Sequence, residues 1–263
     1  MVLTGAKMIA SESGHWYKAD GTPCYTMKGK NGQERNTTLR DARLLGLYPS
    51  VTTIIRAAAA PGLDIWKQDQ AIMAALTLPR REGEPEADWL VRVKQDAKET
   101  ARKAADRGTE IHGAVERHFQ GIPPTEEMQP FVRGVIAALT AHFGPLAWDS
   151  ERSFAHPLGF AGKCDLHSKA ERIVVDLKGK DFTLPSECKQ YDEHVMQGAA
   201  YLQGFDLYDG GRFANVFFSR TAPGLACVIE ANPEDVRRGW RMFRSLLSYW
   251  QEANNYAPMQ VAA

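Results

Sequence analysis

The sequence predicts a single α/β domain, a mixed β-sheet flanked by helices, preceded by a helical region and a small β-hairpin. Three observations predict it. Residues 64–143 carry apolar side chains at helical spacing, interrupted by Pro79 and by Gly121-Ile122-Pro123-Pro124. After Pro145, LAWDSERSFAHP, GFAGKCDLHS and RIVVDLKGK follow with the β-branched and aromatic content of three successive strands. A helical stretch, two more strand-like runs and a last helix complete a mixed order of elements. At 263 residues the chain can bury one substantial core, divided as 1–145 (hairpin and helices) and 146–263 (sheet and C-terminal helices).

Element by element, GHWYKADGTPCYTM reads as a hairpin about Asp20-Gly21, and KGKNGQERN as a loop. Ser50 stands at a helix N-cap, with Val51, Ile54 and Ile55 at helical spacing behind it. Helices are expected over 64–78, over 87–119 with a break at Gly108, and over 126–143. The three strands come next, then a helix over 188–208. ANVFFSR and LACVIEA supply two strands, and a helix from Pro233 to about Glu252 closes the chain.

Composition excludes several classes. No apolar run approaches the ~20 residues that cross a bilayer, so no membrane partner is expected. MVLTGAKMIASESGHWY lacks the layout of a secretion or transit signal, so a cytoplasmic protein is expected. Cys24, Cys164, Cys188 and Cys227 are scattered, which predicts free thiols rather than a zinc ribbon, a disulfide scaffold or an iron–sulfur cluster. Thirty-two basic residues balance thirty-two acidic ones, which argues against indiscriminate coating of nucleic acid but permits a local basic groove.

Asp176-Leu177-Lys178 ends the apolar run Ile173-Val174-Val175, so Asp176 and Lys178 share one face of a strand and Leu177 the other. The tripeptide alone means little, since ordinary composition yields about one D-x-K in a chain of this length. Asp96-Ala97-Lys98 and Glu187-Cys188-Lys189 are similar, but the first lies in a charged helix and the second before one. Antiparallel pairing about a turn near Lys169-Ala170 brings Asp165 level with Asp176 to within one or two residues. Two carboxylates so close call for a cation or proton between them, and oxygen ligands suit Mg²⁺ or Mn²⁺. Taken alone, Asp165 equally fits a surface acid near a turn, and Gln197 and Tyr201 a pair on a helix surface. His112 stands on a helix with Glu116 one turn later, and a lone helical histidine is usually structural.

Gly108-Thr109-Glu110-Ile111-His112, Gly162-x-x-Asp165, Asp176-x-Lys178 and Gln197-x-x-x-Tyr201 occur in the order found in RecB-like PD-(D/E)XK nucleases, and the chain resembles that superfamily over about residues 15–205. The HWY hairpin and Pro-Ser-Val-Thr-Thr-Ile-Ile resemble its phage and mitochondrial exonuclease branch. The resemblance implies a restriction-endonuclease-like core and a metal-dependent DNA exonuclease of recombination, repair or replication. Alternatives are an endonuclease of the same fold and an idle nucleic-acid-binding protein. It implies one or two Mg²⁺ or Mn²⁺ ions held by His112, Asp165, Asp176 and the Leu177 carbonyl. Lys178 would position or help deprotonate the attacking water and stabilise charge on the phosphoryl group, and Gln197 and Tyr201 would orient the site or touch substrate. Glu151 resembles a recurrent glutamate of the family, whereas Gly179-Lys180 stands where a Thr is frequent. DNA, bound by an end, is the implied partner, together with a recombination or single-strand-binding protein. Ser50, Thr52 and Thr53 at a helix start, Lys98 and Arg102 on the basic helix, and Lys180 are the candidate DNA contacts.

Overall fold

The structure, a computed structural model, describes residues 14–58 and 61–258. A five-stranded sheet runs β5 (Asp149–His156), β6 (Phe160–Ser168), β7 (Ile173–Lys180), β8 (Arg212–Ser219) and β9 (Ala226–Glu230), in that spatial order. Neighbours are antiparallel except β7 and β8, which are parallel. Parallel neighbours need a crossover, and α6 (Asp192–Gly204) supplies it. With α7 (Pro233–Ala253) and the short α2 (Val51–Ile55), α6 buries one face of the sheet through Val174, Phe213, Ala199, Leu202 and Phe243. The other face carries Ile173, Val175, Leu177 and Val216 against α4 (Glu86–Phe119) and α5 (Gln129–Phe143). Burial on both sides explains why β7 opens as an unbroken apolar run. The fold class read from the sequence is therefore the fold class observed.

Gly108 does not break α4, which is one 34-residue helix. The residue serves instead to bring α4 down onto the strand end. A Cβ built on Gly179 would lie 3.4 Å from the Gly108 Cα and 2.9 Å from the Phe218 ring. Two adjoining glycines let helix and strand backbones approach where side chains would hold them apart. α3 (Pro61–Thr77) packs along the N-terminal part of α4. Trp89 Nε1 donates to the Leu78 carbonyl at 2.7 Å, and Arg92 pairs with Glu84 at 2.8 Å beside them. Among the described residues no helix is long and apolar enough to cross a membrane.

The N-terminal region departs from expectation in three places. The Asp20-Gly21 hairpin forms, through the Tyr17–Pro23 bridge and the Cys24 N–H donated to the Trp16 carbonyl, but β1 (Trp16–Tyr17) also takes β4 (Tyr48–Pro49) as a ladder partner. KGKNGQERN is not a loop throughout, because β2 (Thr26–Lys28) and β3 (Glu34–Asn36) make a hairpin about Asn31-Gly32. Its strands are polar and largely exposed, so no apolar alternation announces them. Residues 39–45 form α1 (Leu39–Leu45), for which Thr38 and Asp41 make a capping box and Gly46, at φ 65°, the left-handed stop. Later, the helix expected from residue 188 begins at Asp192, after a 3₁₀ turn over Pro185–Glu187.

Candidate active site

Strand β6 meets β7 through Ser168, His167 and Leu166 only, and the next pair in that register is Asp165 with Asp176. The ladder opens where the carboxylates begin. On its other side β6 pairs with β5 at Cys164 and Leu166 but skips Asp165, opposite Glu151. Glu151 adopts φ 61°, a left-handed conformation uncommon for a side chain of its kind. Alternation resets here: Cys164 packs toward α6 and Leu166, two residues on, toward α4 and α5. Asp165 thus sits at a distortion shared by two strands, and its Oδ2 accepts the Leu177 N–H at 2.6 Å.

His112 reaches this carboxylate from α4, one turn beyond the close approach at Gly108. Its Nε2 lies 3.0 Å from Asp165 Oδ2 and its Nδ1 3.2 Å from Glu116 Oε1. Ligand atoms of His112, Glu116 and Asp165 all fall within 4.8 Å of one another. Glu151 adjoins them beside Glu116 and forms an ion pair with Lys163. Burial disfavours charge on His112, yet Asp165 and then Glu116 outweigh it and push the pKa up to about 11. Burial likewise opposes ionisation of Asp165, but the His112 imidazolium and the Leu177 N–H hold it below the ordinary carboxylate range. The carboxylates thus favour a cation between them, a proton on His112 or a divalent ion in that proton's place. With the ring deprotonated, one imidazole nitrogen and two carboxylate oxygens form a donor set that fits Mn²⁺ or Mg²⁺.

Asp176 belongs to a second, linked group. It is 3% exposed, and both its oxygens are engaged. Oδ2 accepts from Lys178 Nζ at 2.8 Å and from Asn215 Nδ2 at 2.9 Å, and Oδ1 from Gln197 Nε2 at 2.8 Å. The Gln197 amide also accepts from Lys178 at 3.0 Å and donates to the Tyr201 hydroxyl at 2.9 Å. Tyr201 in turn packs over Gly162, where a Cβ would stand 2.8 Å from the phenol ring. That contact is the physical reason for glycine three residues before Asp165. Burial raises the Asp176 pKa against the opposing pull of Lys178. Burial opposes charge on Lys178, but Asp176 and then Asp165 keep it an ammonium. Two neighbouring carboxylates are thus driven in opposite directions.

The site residues read from the sequence accordingly fall in two linked sets. His112 and Asp165 come together with Glu116, whereas Asp176, Lys178, Gln197 and Tyr201 come together with Asn215. Leu177 lines the cleft beside Asp165. Glu116 and Asn215 carried too weak a sequence signal, although the i, i+4 spacing of His112 and Glu116 marked a shared helix face. Among the candidate DNA contacts, Lys180 lines a neighbouring cleft, while Lys98 and Arg102 are exposed on α4. The Ser50 hydroxyl caps α2 by accepting the Thr53 N–H at 3.0 Å and contacts Thr52 and Thr53, and Thr53 Oγ1 accepts the His15 N–H. Those hydroxyls tie the N-terminal segment to α2.

Two clefts flank the end of β7. One, of about 590 Å³, contains His112, Glu116, Glu151, Lys163 and Asp165. The other, of about 530 Å³, contains Lys178, Lys180, Trp66, Tyr191 and Phe217. Ala104, Ala105, Gly179 and Arg220 border both.

No family model matches the chain, and no curated protein matches it. Among solved structures, one described as "Crystal structure of SSO0001" aligns at 16% identity and a TM-score of 0.27. The alignment covers 43% of this chain and 55% of that one, so this chain spans about half of that protein's length.

Replacing His112 tests the donor set directly. His112→Ala is expected to weaken metal binding and to be partly rescued by raised Mn²⁺, which exchanges water for the remaining carboxylates more readily than Mg²⁺ does. Metal titrations with each ion check it. Equal affinities in mutant and wild type, with only a lower melting temperature, would leave His112 a packing residue.

Proposed function

We propose that the chain hydrolyses DNA phosphodiester bonds with the help of Mg²⁺ or Mn²⁺, in the manner of the PD-(D/E)XK nucleases that its motifs resemble. The reading is supported chiefly by one juxtaposition: the His112–Glu116–Asp165 donor set lies at the strand end that presents Lys178 on Asp176. A divalent ion bound there supplies charge neutralisation at the scissile phosphate and acidifies water. His112, Glu116 and Asp165 would hold it, with Asp176 next to them across the opened ladder. Lys178, tethered by Asp176 and Gln197, stays positively charged and orients the attacking water toward phosphorus. Its charge also meets the negative charge that grows on the phosphoryl oxygens as the bond to the leaving oxygen breaks. A charged lysine is a donor, which favours these roles over that of a base.

Attack from a DNA end is the preferred mode, on the resemblance of the N-terminal segments to exonucleases. The experiment compares end-labelled linear DNA, single- and double-stranded, with closed circles at equal phosphate, in Mg²⁺ and in EDTA. Short products are expected from the linear forms alone, and only with metal. Cleavage of circles would make the enzyme an endonuclease; cleavage in EDTA would remove the metal from the mechanism.

A further inference from the structure

The cleft beside the carboxylates has a different chemistry from its neighbour. Lys67, Lys178, Lys180, Lys189 and Arg220 line it, with Glu193 the one carboxylate among the lining residues, while Asp64, Asp176 and Asp181 pair with Lys67, Lys178 and Arg220 from outside the lining. Between these charges lie flat apolar surfaces. Tyr191, His194 and Phe217 form a series with ring centroids 5.7 and 5.9 Å apart, and Trp66 lines the cleft from α3. Burial, and then Lys178, lower the His194 pKa to about 3, so this ring too is uncharged. Trp66 has no ring partner or hydrogen bond among the described residues, and Lys189 has no carboxylate partner among them. Cations with aromatic faces complement a chain of phosphates and bases. In a duplex, neighbouring bases cover those faces, so only an unpaired base can use them.

We propose that this cleft is a nucleotide subsite, in which an unpaired base next to the scissile phosphate stacks on Trp66 and Tyr191 while Lys67 and Lys189 hold its phosphates. The position follows from the border the two clefts share at Gly179 and Arg220: a strand whose phosphate meets His112 and Asp165 continues past Lys178 into the aromatic cleft. The choice of a nucleic-acid ligand rests on the hydrolytic reading above, and the test separates the two.

Anisotropy of a labelled oligothymidylate of about ten nucleotides, titrated with Asp165→Asn protein to prevent cleavage, measures the subsite. Adding Trp66→Ala or Tyr191→Ala is expected to weaken binding about tenfold or more, the scale of losing one base stack. Trp66→Phe should retain most of the affinity, and an abasic oligomer should be insensitive to either alanine. Lys189→Glu, an exposed change that spares the fold, should weaken both oligomers. Unchanged affinity in both alanine variants would overturn the subsite, even if the wild type degrades DNA. Competition by polyglutamate as strong as by the oligomer would overturn it too, marking the cleft as a site for acidic peptide. If the wild type cleaves nothing while oligomer binding still depends on Trp66, the subsite stands and the hydrolytic reading falls.

Discussion

Asp165→Asn is expected to remove metal-dependent cleavage, lowering kcat by ~10³-fold or more, at the upper end of what single groups in charge-stabilising sites contribute. The side chain is nearly isosteric, so the amide oxygen can still accept the Leu177 N–H that the carboxylate takes at 2.6 Å. What disappears is the negative charge facing His112 at 3.0 Å. Without it the imidazole loses its strongest reason to be charged, and any cation loses the ligand nearest the sheet. The fold should survive, because Glu116 remains as a partner for His112 and the core around Leu166 and Val175 is untouched. Kinetics on linear DNA together with a thermal melt decide the matter. Cleavage at the wild-type rate, with the fold intact, would sink the proposed metal site.

Lys178→Ala should cost ~10²-fold or more in kcat with a smaller change in KM, the pattern of a group that acts mainly in the transition state. The ammonium is held by two partners, Asp176 and Gln197, which a surface lysine would not need. Its loss also strips the buried Asp176 of its nearest cation, and burial would then drive that carboxyl further upward. The acid limb of the mutant's pH–activity profile should therefore lie at higher pH than that of the wild type, because Asp176 stays neutral until the pH passes its raised pKa. Lys98→Ala, exposed on α4 within the other D-x-K tripeptide, is the control. If Lys98→Ala is the damaging change, the catalytic lysine has been misassigned.

Much of the strand core was legible because β7 and β6 are buried on both faces, so their composition speaks plainly. The register of one tight antiparallel pair sufficed to bring Asp165 and Asp176 level. Gln197 and Tyr201 were placed together by helical spacing alone. Local pattern could not reveal which residues cross from one element to another. Glu116 enters the donor set only because α4 descends on β7 at Gly108 and Gly179, and Asn215 reaches Asp176 only through the parallel pairing of β7 with β8. The distortion at Glu151 and Asp165 is equally non-local, since two strands must deform together to produce it. In the N-terminal region the reason was different: the β2–β3 hairpin has little apolar face to report, and α1 is signalled by its caps rather than by its periodicity.

The length of α4 gives the site a mechanical property. The helix rests on the sheet at Gly108, and His112 lies about 6 Å beyond that fulcrum while Glu86 lies about 33 Å before it, at 1.5 Å per residue. Moving as a rigid beam, it would reduce a displacement of its far end about fivefold at the imidazole. A metal ligand must hold its place to within about half an ångström. The beam therefore tolerates excursions of two to three ångströms, roughly, at its tip before His112 leaves register with Asp165. Bracing by Arg92 on Glu84 and Trp89 on the Leu78 carbonyl limits those excursions at the long end, where restraint has the greatest leverage.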